Sequence, residues 1–148
     1  MAVRIRVSIE RAGAWKGDRP AEIRTVALAN SGYEAGKSDL SLPIAAANLL
    51  GLWPPPPEAH REVVQAYGGL LEIAALPDAV RVRVLTSDRD GPVVNAGVLF
   101  TQTDNEVVLS DWLVGALAIV LLEPGIGAWC FRDELGQRNR ASEAPVIW

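Results

Sequence analysis

The run Val26-Ala27-Leu28-Ala29 is small and apolar, and it ends abruptly in Asn30-Ser31-Gly32. An asparagine amide forms hydrogen bonds much as a carboxylic acid does, but it cannot take a proton from water near neutral pH. Other residue types that could do chemistry are sparse. His60 has no second histidine and no cysteine pair to share a metal with, so no metal site is expected. An exposed loop histidine is its plainer reading. Cys130 sits between Trp129 and Phe131, and strand alternation turns it away from both, which suits a small buried thiol better than a nucleophile. Gly125-Ile126-Gly127 follows Pro124 and lacks the spacing and the strand–helix setting of a dinucleotide loop. It reads as a turn, and no cofactor is expected.

Composition narrows the classes further. The chain has 148 residues, 49% of them hydrophobic and 22% charged, with a formal net charge of −4. That is enough chain and enough apolar surface for a packed core. The acidic balance, with no block of Lys or Arg, argues against nucleic acid as a partner. One cysteine rules out an internal disulfide and fits a reducing compartment. No apolar stretch reaches the roughly 18 residues of a membrane span, and the N-terminal alternation of Val3, Ile5, Val7 and Ile9 with Arg4, Arg6 and Ser8 is a strand pattern, not a signal peptide. A soluble cytoplasmic protein with no membrane partner is the expectation.

The elements that must position these residues are mostly strands. Residues 2–9 alternate strictly. Residues 11–20 carry Gly13, Gly17 and Pro20 and predict a loop. Ile23 to Ala29 is a strand whose far end is apolar on both faces. Ser31 to Leu42 is mixed and polar and predicts a loop. Leu42 to Leu52 predicts a short helix, with Pro43 in its first turn and Gly51 as its stop. Trp53 and the tetra-proline run Pro54–Pro57 follow. The run reads either as a docking ligand for an aromatic groove or, more plainly, as a stiff spacer.

Val63 to Ala74 predicts a β-hairpin with Gly68-Gly69 at its tip. Separate strands follow over residues 80–85, 93–101 and 106–109. Ser110 caps a short helix, with Asp111 at its positive end. Residues 119–122 and 128–131 are closing strands. By pattern alone this is an all-β barrel or sandwich with one or two short helices, a single domain over residues 1–132 followed by a polar tail over 133–148. Trp112 and Trp129 fit core positions, whereas Trp53 and Trp148 suit a surface or dimer contact.

In this order the strand, Asn30-Ser31-Gly32, Leu42-Pro43 with a helix ending Leu50-Gly51-Leu52, the Gly68-Gly69 hairpin, and Val108-Leu109 leading into a helix resemble the retropepsin-like, single-lobed aspartic proteases. The resemblance covers residues 22–132. It implies an acid-protease β-barrel and a homodimer whose two subunits each supply one Asp, with flap hairpins closing over an extended peptide. Asn30 stands at the position of the catalytic Asp, with Ser31 and Gly32 completing the turn. Tyr67, Gly68 and Gly69 fall on the flap. Ser110 departs from the Gly of the family's second signature.

Two close carboxylates share a proton, one serving as base on the attacking water and the other as acid. Asn30 removes both at once in a homodimer. The expectation is therefore an inactive relative that binds an extended peptide or protein segment in the dimer cleft by strand addition. An active peptidase stays open by deamidation of Asn30, or through a substitute acid such as Asp111 or Asp39, whose plainer roles are helix-start charge and solvated loop residue. A structural or assembly subunit with an empty cleft is the third reading.

Overall fold

The computed structural model describes residues 2–13, 21–29, 34–66 and 68–148. Along them run β1 (Arg4–Arg11), β2 (Glu22–Leu28), β3 (Asp39–Pro43), α1 (Ile44–Leu49), β4 (His60–Ala66), β5 (Gly69–Leu85), β6 (Asp90–Thr101), β7 (Val107–Leu109), α2 (Asp111–Ala116), β8 (Ile119–Glu123) and β9 (Ala128–Phe131). Six strands in the order β1-β2-β7-β3-β6-β5 close into a barrel, because β5 returns to pair with β1. β4 extends the sheet beyond β5, and β8 pairs with β9 in a separate ribbon. Among the described residues no helix is long and apolar enough to cross a membrane.

Period-two alternation builds the barrel wall. Val3, Ile5, Val7 and Ile9 point inward and are fully buried, as are Val80 and Val82, with Val84 nearly so. The registers bring these faces together: Ile5 lies opposite Ala27, Ile9 opposite Ile23, and Val7 opposite Val84 on the other side. A slip of one residue would turn the whole set out to solvent, so the pattern fixes the register. β7 is apolar and buried throughout, as befits a short strand held between the parallel β2 and the antiparallel β3.

Several expectations change in detail. Where the sequence predicts a loop through Leu42, the chain forms β3, parallel to β6 and antiparallel to β7. The predicted strands on either side of Pro77 are one strand, β5. Its register shifts between Leu76 and Val80, and Asp78 there takes a φ of 49°. Such a bulge bends a strand without ending it, so β5 serves the hairpin with its first half and the barrel with its second. The helix is shorter than predicted and begins after Pro43 as its N-cap; Gly51, at φ 72°, ends it in the left-handed conformation that glycine favours. The proline run lies between α1 and β4.

The tryptophans depart from the pattern. Trp129 is buried, but Trp112 is 62% exposed on α2. Trp53 instead packs on the core, with its ring 5.6 Å from that of Phe100. Trp148 also packs on the core, its indole N–H donating to Thr25 Oγ1 at 3.1 Å and its backbone N–H to the Asn105 carbonyl. The segment leading to it is bonded along its length. Arg140 and Trp129 exchange backbone hydrogen bonds, and Glu143 N–H donates to the Arg4 carbonyl at 2.9 Å. Ser142 Oγ accepts from Arg4 N–H and lies within donating distance of the carbonyls of Ala2 and Gly127.

Candidate binding cleft

β2 carries the chain to Ala29, which is buried and donates its N–H to the Val3 carbonyl at 2.9 Å. Asn30, Ser31, Gly32 and Tyr67 lie outside the described residues. Residues 34–37, just beyond Asn30-Ser31-Gly32 in sequence, form one wall of a cleft of about 690 Å³. Asp39 and Ser41 of β3 line it next, then Leu99 and Thr101 of β6, and the hairpin β4–β5 lines the far side with Glu62, Val64, Leu71 and Ile73 among others. Ile73, Ala75 and Leu99 form a small apolar cluster there, with Val64 packed on it. Gly68 and Gly69, at φ 104° and 134°, make the hairpin tip, where the register pairs Ala66 with Gly69.

The rim is charged. Lys37 Nζ lies 3.4 Å from Glu62 Oε1 and so links residues 34–37 to the hairpin. His60 Nε2 lies 2.7 Å from the same oxygen. The hydrogen bond from His60, with added help from Lys37, holds the Glu62 carboxyl below its ordinary range. His60 is exposed at the start of β4, and its neighbours are these rim groups.

Ser110 secures the cleft from behind. Its hydroxyl is fully buried and accepts from Asp39 N–H at 3.0 Å and from Leu113 N–H at 3.2 Å, the latter as the N-cap of α2. The same hydroxyl reaches the Lys37 carbonyl at 3.2 Å, and Ser110 N–H donates to the Asp39 carbonyl. One side chain thus ties β3 to α2. Ser110→Ala is expected to cost roughly 1–3 kcal/mol in urea unfolding, because it strands a buried N–H and removes a cap. Ser110→Gly keeps a tolerable N-cap and loses mainly the β3 link, so its cost should be the smaller of the two.

Asp39 differs most from its sequence reading. It is not a solvated loop residue: it opens β3, is only 3% exposed, and lines the cleft. Burial pushes its carboxyl above the ordinary range, with Glu62 and Asp78 adding to the rise while Lys37 and His60 oppose it. An acid whose pKa is raised on folding adds stability that is present below the unfolded pKa and lost as pH rises through the folded one. Asp39→Asn is therefore expected to be more stable than the natural chain at pH 7, by about 1 kcal/mol or roughly 3 °C in Tm. Thermal unfolding across pH should show the gain shrinking as pH falls through the raised folded value and levelling off below about pH 4.

Asp111, by contrast, is exposed in the first turn of α2, where it complements the helix N-terminus. Cys130 is buried in β9 and burial raises its thiol pKa, the opposite of an activated nucleophile. Gly125 to Gly127 is the turn between β8 and β9. The signal that could have found Asp39 is the alternation Asp39-Leu40-Ser41-Leu42, whose two leucines are fully buried on the barrel side. No protein-family model matches the chain, and no curated protein matches it either.

Proposed function

We propose that the chain is a retropepsin-like barrel with Asn30 in place of the catalytic carboxylate, and that it binds an extended peptide or protein segment in a cleft shared by two copies. The observation that carries this reading is the cleft itself. It opens beside the segment that follows Asn30-Ser31-Gly32, and its outer wall is a hairpin whose strand β4 ends the sheet. A strand at the end of a sheet offers backbone groups to an added strand, and alternate pockets then select side chains. The hairpin also presents apolar side chains outward, Val63 at 66% and Leu70 at 74% exposure, as a surface awaiting a partner would.

Isothermal titration with blocked extended peptides tests the binding, and sedimentation tests the pairing. Saturable binding by a particle of twice 15.9 kDa is the expected result. A monomer that takes up no peptide overturns the reading. A second reading, an active peptidase using a substitute acid, draws on the buried Asp39, since burial favours the protonated carboxyl, the form a general acid needs. Cleavage by the natural chain with residue 30 still an amide, abolished in Asp39→Asn, would establish that reading instead.

A further inference from the structure

The backbone of Asp39 is fully employed, its N–H on Ser110 Oγ and its carbonyl on Ser110 N–H. Its carboxyl is not. Among the described residues no group donates a hydrogen bond to it, although the residue is buried and faces the cleft. The nearest cation along the chain, Lys37, is engaged with Glu62 at the rim. Buried carboxylates are ordinarily paired, because an unpaired one forfeits its hydration for nothing.

The space it occupies is also particular. Asp39 stands opposite Gly97 in the β3–β6 register, and a Cβ on Gly97 would collide with Asp39 Oδ1. The backbone of Gly97 needs no glycine, since its φ is not positive; what the missing side chain provides is room for the carboxyl. Among the described residues lining the cleft, the carboxylates of Glu34, Asp39, Glu62 and Asp104 face Lys37 as the one cation.

We propose that Asp39 is the specificity residue of the cleft and receives an alkylammonium or guanidinium group, presented by a Lys or Arg side chain of the bound peptide. This rests on the peptide-binding reading above. A neutral donor would satisfy an oxygen of Asp39 but leave its buried charge unpaired. A cation does both, and a charge-assisted hydrogen bond in a desolvated recess is the stronger kind.

The test uses two otherwise identical sets of blocked peptides, degenerate except at one fixed position that is Lys in one set and norleucine in the other. The natural chain is expected to bind the Lys set more than about tenfold tighter, as a hydrogen bond to a charged group implies. In Asp39→Asn, whose altered side chain holds no fold-bearing hydrogen bond, the ratio should fall to near one. Gly97→Ala, which displaces the carboxyl, should lose the Lys preference while still binding norleucine peptides. Equal binding of both sets by the natural chain overturns the role of Asp39 and leaves peptide binding standing.

A second probe separates the two readings when no peptide binds. The Asp39 carboxyl is followed by carbon NMR through a pH titration with n-butylammonium present or absent. A lowered midpoint with the amine supports the cation site without a peptide. No change in the midpoint, together with no peptide binding, overturns both.

Discussion

Asn30→Asp is expected to turn the chain into a peptidase. In the proposed homodimer, restoring one residue restores two carboxylates, since each copy contributes the same position. Side by side they cannot both ionise, so they titrate apart and divide the work of base and acid. Acid–base assistance of this kind is worth about 10²–10⁴ in rate, and the natural amide can supply none of it because it takes no proton near neutral pH. Cleavage of extended peptides between about pH 3 and 7 should therefore appear in the variant and be absent from freshly made natural protein. Residue 30 must be checked by peptide mass in both, because deamidation would make the natural chain resemble the variant. If the variant also fails to cleave, the cleft does not place residue 30 of two copies together, and the assembly role becomes the better reading. The same assay on Asn30→Asp with Asp39→Asn asks whether peptides are still cut when only the proposed selectivity is removed.

What the residues disclosed and what they concealed divides by the range of the interactions concerned. Strict alternation in β1 and the Ser110 cap of α2 are local signals, and both elements formed where they point. So did the Gly68-Gly69 tip, because the backbone there requires positive φ. β3 stayed hidden because its polar members, Asp39 and Ser41, are buried by other strands and not by anything near them in sequence. Closure of the barrel rests on β5 meeting β1, a pairing of residues some seventy positions apart that no local pattern announces. The one-strand nature of β5 was concealed by Pro77 and Asp78, which read as a break and act as a bulge. Trp112 shows the reverse error: an aromatic at a helical position invites a core assignment, yet it lies on the solvent side of α2. The cleft is thus legible only in part. The hairpin could be read from the chain, but the Asp39 carboxyl beside it needed the tertiary pairing of β3 with β6.

Arg140→Ala is expected to loosen the C-terminal segment and to change how the protein responds to acid. The Arg140 side chain is 8% exposed. It donates to both oxygens of Glu134 at 2.8–2.9 Å and to both oxygens of Asp88 at 2.8–2.9 Å. Its guanidinium lies 5.2 Å from the Phe131 ring centroid and 5.7 Å from that of Trp129, so truncation loses packing and cation–π contact as well as charge. Removing one partner of a buried pair costs about 3–5 kcal/mol, and an exposed pair about 0–1. This site lies between those limits, since Asp88 is a third exposed. A loss of roughly 2–3 kcal/mol in urea unfolding, or about 4–12 °C in Tm, is the expected result. The acid response follows from Glu134, whose carboxyl is lowered from 4.5 to about 2, chiefly by the Arg140 hydrogen bonds and further by the N–H of Phe131. A carboxyl lowered on folding contributes stability that is complete above the unfolded value and disappears as pH falls through the folded one. The natural chain should therefore lose stability steadily from about pH 5 down toward 2. In Arg140→Ala the Glu134 value returns toward its ordinary range, so the variant starts lower at pH 7 and its stability falls less over the same interval. Equal slopes in the two proteins would mean that the acid sensitivity resides elsewhere and that Arg140 acts through packing alone.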